Sequence, residues 1–102
     1  MRITQAQLTK ALGHLEAGDW QAAHEIVQRD EESPLACWAH GIVHMMEGDM
    51  GNARYWYRRA GRPFPRGLDA TTEIDALALA VKSHPGVAEA AKARETTRNS
   101  SR

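Results

Sequence analysis

The chain is short of most features that announce a function. Its 102 residues include one cysteine, Cys37, so no disulfide can close within it, and that usage fits a reducing compartment. An excess of one charge is missing too. Thirteen acidic residues balance thirteen basic ones, so no global field favours nucleic acid or an anionic membrane. No stretch approaches the roughly 20 apolar residues that would span a bilayer. The opening Met1-Arg2-Ile3-Thr4-Gln5 lacks the apolar run of a signal peptide, and the cytoplasm is the expected location. The β-branched residues are scattered and never alternate, which leaves no strand to expect. Glycine-rich phosphate loops, nucleophile elbows and His-Glu-x-x-His strings are all absent.

What is present is helical punctuation. Thr4 and Gln7 have the spacing of a capping box, with Ile3 and Leu8 placed as a hydrophobic staple. Leu8, Ala11, Leu12 and Leu15 then form an apolar stripe, and Gly18 ends the first helix. Asp19 can cap a second helix whose inner face is Trp20, Ala23, Ile26 and Val27, broken by the acidic run Asp30-Glu31-Glu32. Ser33-Pro34 is a further start signal. The third helix puts Leu35, Trp38, Ala39, Ile42, Met45 and Met46 on one face, and Cys37, His40, Gly41 and His44 on another. Gly48-Asp49 repeats the turn, a fourth helix runs from Asn52 to Ala60, and Gly61 stops it.

Gly61 to Leu68, with Pro63 and Pro65, reads as an irregular connector. Asp69 or Thr71 caps a fifth helix reaching about Lys82, with Ile74, Leu77, Ala78 and Val81 on its apolar side. Val87 to Arg94 reads as a short helix, closing a single domain of residues 1–94. Residues 95–102 form a flexible polar tail.

Two of these segments are copies. Leu15-Glu16-Ala17-Gly18-Asp19-Trp20-Gln21-Ala22-Ala23 aligns with Met45-Met46-Glu47-Gly48-Asp49-Met50-Gly51-Asn52-Ala53, which sets Ala11 opposite Gly41 and His14 opposite His44. Repeats of this length mean stacked helical hairpins. The second unit resembles a tetratricopeptide repeat: Gly41 at the close helix crossing, Gly48-Asp49 at the turn, then Ala53, Tyr57 and Ala60, with Pro65 beyond. The likeness covers residues 4–66, and the stretch from Trp38-Ala39-His40 to Ala60-Gly61 also resembles small uncharacterised bacterial proteins. It implies an all-α fold of about two stacked tetratricopeptide-like hairpins, with a C-terminal helix packed on them. Cys37, His40 and His44 stand where that family favours tryptophan, leucine and tyrosine.

In that family the first helix of each hairpin lines a concave groove that binds peptides. Here the groove positions would be Leu8, Leu12, Leu15, Leu35, Trp38, Ile42, Met45 and Met46, an apolar set too large to stay bare. The fifth helix is the first candidate cover, and a second copy of the chain the next. The expected function is therefore protein–protein interaction without catalysis. Trp38, Ile42, Met45 and Met46 would be apolar anchors, and Arg54, Tyr55, Arg58 and Arg62 a charged, aromatic strip. The partner would be a protein or peptide, or a second copy in a homodimer, with no membrane. Net charge zero argues against nucleic acid.

Chemistry has one rival claim. Cys37, His40 and His44 lie at i, i+3 and i+7 with Glu47 continuing the line, soft and borderline ligands for a transition metal. His14 or His24 would have to complete the set. Otherwise the two histidines are packing residues between helices, and no cofactor is expected. A general base (His40 or His44), an orienting acid (Glu47 or Asp49) and anion clamps (Arg54, Arg58) exist in name, but nothing ties them together. Tyr55, Trp56 and Tyr57 fan out at about 100° per residue, so one ring must face outward, and Tyr55 is the expected one.

Overall fold

A computed structural model describes residues 1–83; the expected helix at 87–94 and tail at 95–102 lie outside the described residues. Five helices follow in order: α1 (Gln5–Glu16), α2 (Trp20–Val27), α3 (Pro34–Glu47), α4 (Met50–Ala60) and α5 (Ala70–Ser83). No strand occurs among the described residues, and no helix there is long and apolar enough to cross a membrane.

The local signals act as their chemistry requires. Thr4 Oγ1 accepts from Gln7 N at 3.1 Å while Thr4 N donates to Gln7 Oε1 at 2.8 Å, two orphan amides satisfied reciprocally. The two copied turns match bond for bond. Asp19 N donates to His14 O at 2.8 Å and Asp49 N to His44 O at 2.8 Å. Asp19 Oδ1 then accepts from Ala22 N, and Asp49 Oδ1 from Asn52 N. Gly48, at φ 91°, takes the left-handed conformation that lets the chain reverse at this point.

At Ser33 the start signal works differently. Ser33 precedes α3 without a side-chain capping bond. Asp30 supplies the tie instead: Oδ1 accepts from Glu32 N and Ser33 N, and Oδ2 from Ile3 N at 3.0 Å. Whereas Glu31 and Glu32, the rest of the acidic run, are exposed, this carboxylate is 0% exposed. Burial works to raise its pKa, but the bonds from Ser33, Glu32 and Ile3 outweigh that and hold it below the usual carboxylate range.

The third helix is the axis of the domain. It packs against each of the other four, and both of its expected faces are buried apart from the half-buried Leu35, His44 and Met46, together with Ala36 and Val43. A helix enclosed all round needs apolar or small residues all round, and the run from Ala36 to Val43 supplies them. The fifth helix lies against α1 and α3. Ile74, Leu77 and Val81 join Leu8, Leu12, Leu15, Trp38 and Ile42 in one core. At its N-terminus Asp69 accepts from the amides of Thr71 and Thr72.

One contact sets the spacing of α3 and α4. A β-carbon on Gly41 would stand 2.5 Å from Tyr57 Cδ1 and 3.3 Å from the Ala53 carbonyl oxygen, so only hydrogen fits. Beyond it, Tyr57 Oη donates to Glu73 Oε1 at 2.6 Å, and Trp38 Nε1 donates to the same oxygen at 3.1 Å. One carboxylate oxygen thus binds α3, α4 and α5 together. Gly41→Ala should cost about 1–3 kcal/mol through forced displacement of the ring. Gly13→Ala, in the interior of α1 with open space around it, should gain about 0.5–1 kcal/mol. Urea denaturation of the two variants checks the contrast, and equal effects would show that the crossing is looser than the structure makes it.

Candidate functional site

Three histidines meet on the side of α3 that faces α2 and α4. His40 and His44 lie one turn apart on α3, and His24 comes from α2. The ring centroids are 4.9 Å apart for His24–His40, 5.4 Å for His24–His44 and 5.0 Å for His40–His44. One ligand atom from each lies within 4.8 Å of the other two. His40 is 4% exposed while His24 and His44 are half-buried, so the cluster opens to solvent at one end.

Each ring has a distinct setting. His40 stacks on the Trp56 indole of α4, with centroids 3.9 Å apart and planes 10° from parallel. Its Nδ1 is buried and has no hydrogen-bond partner among the described residues. Burial, then the neighbouring charges of His44 and His24, push its pKa down to about 3. Burial also lowers His24, with His44 adding to the effect. His44 Nδ1 donates to Glu47 Oε1 at 2.8 Å. A carboxylate can only accept, so this bond fixes the proton on Nδ1 and leaves Nε2 as the open nitrogen. Glu47 and Asp49 form a second, more exposed group with His44.

Cys37 is not part of either group. It is 1% exposed, and burial raises its thiol pKa although the nearby Arg59 guanidinium works against that. The i, i+3, i+7 spacing put Cys37 with the histidines, but the packing of α4 against α3 sets it beside Arg59 instead. The residue that completes the cluster is His24. Its only signal in the sequence was its place on the helix expected to precede α3. His14, the other candidate named from the sequence, is likewise outside both groups.

The other expected binding residues divide by location. Trp38, Ile42 and Met45 are buried in the core that α5 completes, and Met46 is half-buried. Arg54, Tyr55, Arg58 and Arg62 are all exposed. Tyr55 is 42% exposed whereas Trp56 and Tyr57 are buried, the division expected for that triplet. Arg62 lies 3.4 Å over the Trp38 ring centroid, Arg54 lies over Phe64, and Arg59 over Trp56 and Tyr55. A hollow of about 450 Å³ lies beside Ile3, Leu8, Asp30 and Leu35. Its buried acid already spends both oxygens on backbone amides.

Compared with known proteins, the chain matches no family, no curated protein and no solved structure.

The low pKa of His40 makes folding pH-dependent with a definite sign. The unfolded ring binds a proton near 6.5 and the folded ring only near 3, so between these values unfolding takes up a proton. Stability should be fully present above pH 6.5 and decline as pH falls, by about 1.4 kcal/mol per unit, with His24 adding in the same direction. Guanidinium titrations at pH 7, 6 and 5 with chelator present should show this decline. In His40→Leu the slope should flatten, and an unchanged slope would remove His40 as its source.

Proposed function

We propose that this chain is a non-catalytic docking module, built from two tetratricopeptide-like hairpins, that binds an acidic protein segment on the outer face of α4. One observation carries the reading. Among the described residues the ion pairs are Arg2–Glu32 and His44–Glu47, so no arginine of α4 is neutralised by a carboxylate. Helical geometry puts Arg54, Arg58, Tyr55 and Arg59 within an arc of about 140°, all exposed. The arc contains no acid.

The aromatic rings make this face more than a solvated surface. Held over Phe64, Arg54 keeps a planar guanidinium group ready for bidentate carboxylate contacts at reduced entropic cost, while Arg59, over Trp56 and Tyr55, already donates Nη2 to the Glu31 carbonyl oxygen. Tyr55 adds a flat amphipathic surface between them. The groove version of docking has little room here. Trp38, Ile42 and Met45 lie under α5, which also removes the apolar stripe as a homodimer face. The acidic run of a second copy is a poor fit as partner, since Asp30 is buried and Glu32 pairs with Arg2.

The test uses a defined probe. A glutamate-rich peptide containing one tyrosine should bind in low salt, while a lysine-rich peptide of equal length should not. Arg54→Glu with Arg58→Glu should weaken the first interaction about tenfold or more, consistent with loss of about 0.2–1 kcal/mol per exposed pair plus added repulsion. Fluorescence anisotropy would read both. Equal affinity for the two peptides, or tighter binding of a single-stranded oligonucleotide, would overturn the acidic-segment reading.

A further inference from the structure

We propose that His24, His40 and His44 form a three-histidine site for a borderline divalent transition metal, with zinc as the ion it fits. This rests on different residues from the docking face and stands or falls independently of it.

The geometry favours coordination over packing alone. A zinc–nitrogen bond of 2.0–2.1 Å puts each ring centroid about 3.2 Å from the ion, so tetrahedral ligands have centroids about 5.2 Å apart. The three observed separations, 4.9, 5.4 and 5.0 Å, surround that value. One ring nitrogen of each histidine already lies within 4.8 Å of the other two, so binding asks the rings to close by about 1.5 Å or less to the roughly 3.3 Å separation of tetrahedral ligands. Three imidazoles packed edge and face bring several nitrogen lone pairs into one small volume. A cation there converts mutual repulsion into bonding.

Two further features point to a ligand. Buried His40 Nδ1 has no hydrogen-bond partner among the described residues, an arrangement that ordinarily costs a folded protein stability. His44 is held through Nδ1 by Glu47 at 2.8 Å, the carboxylate–histidine pairing that orients metal-ligating imidazoles and fixes their tautomer. Trp56, stacked on His40, closes the inner side with an apolar wall. The half-exposed edges of His24 and His44 leave a fourth coordination position open to water or to an outside ligand.

The chemistry of the donor set selects the metal class. Neutral imidazoles suit zinc, copper(II) and nickel(II), and without a thiolate the site is not built for softer ions. An ion held here would clamp α2 to α3, since the ligands come from both.

Isothermal titration of chelator-stripped, untagged protein with Zn²⁺ is the direct test. One ion per chain should bind with a dissociation constant in the micromolar range or below, and saturating zinc should raise the melting temperature by on the order of 10 °C. His24→Ala and His44→Ala should each weaken binding a hundredfold or more, and Glu47→Gln about tenfold. His24 and His44 are only half-buried, so circular dichroism should show both variants folded. Cys37→Ser and His14→Ala should bind as the parent does, and Co²⁺ in place of zinc should give a tetrahedral visible spectrum without thiolate charge-transfer absorption. Binding weaker than millimolar, binding that survives both histidine substitutions, or binding abolished by Cys37→Ser would overturn the proposal.

Discussion

The close approach of α4 to α3 at Gly41 is the constraint on which the rest depends. With no side chain at that position, the Cδ1–Cε1 edge of the Tyr57 ring comes up against the α3 backbone. The ring's hydroxyl then reaches the Glu73 carboxylate on α5. Trp56, the adjacent residue, is turned about 100° around α4 and onto His40. One missing methyl group therefore sets both the polar tie to the fifth helix and the aromatic wall of the histidine cluster. A larger gap between the helices would lose the two together, because neighbouring residues on α4 cannot be repositioned separately.

Much of this was legible because it is local. Capping bonds, the glycine turns and the outward turn of Tyr55 depend on residues within one or two helical turns, and the sequence carries that geometry directly. Gly41 was legible as a close crossing because glycine inside an apolar helix is otherwise a poor choice. What could not be read locally was which second element each face of α3 would meet. Cys37 shares a helical face with His40 and His44 by spacing, yet the packing of α4 sends it toward Arg59 and lets His24 of α2 take its place. The burial of Asp30 was hidden for the same reason. Its neighbours Glu31 and Glu32 are exposed, and nothing nearby announces that the Ile3 amide, distant in sequence, would draw it inside.

The fifth helix changes what the hairpins can offer a partner. By laying Ile74, Leu77 and Val81 across α1 and α3, it completes the core that the first four helices begin. The same burial withdraws the surface that a longer array would present. On α4, Arg54 and Arg59 lie over aromatic rings instead of pairing with acids among the described residues. The uneven placement of a balanced set of charges thus has a structural origin: the acids near α4 are spent on caps and loops, and Asp49, Asp30 and Glu73 all bind backbone amides or buried hydroxyl and indole groups.

The stack of Trp56 on His40 also gives the molecule an optical property. An excited indole in face contact with an imidazole transfers electron density to it far more readily once that imidazole is positively charged. The emission of Trp56 is therefore a built-in gauge of the electronic state of the most enclosed histidine. Trp38 and Trp20 make no such ring contact with a histidine among the described residues, so they supply a steady background against which that one signal can be read.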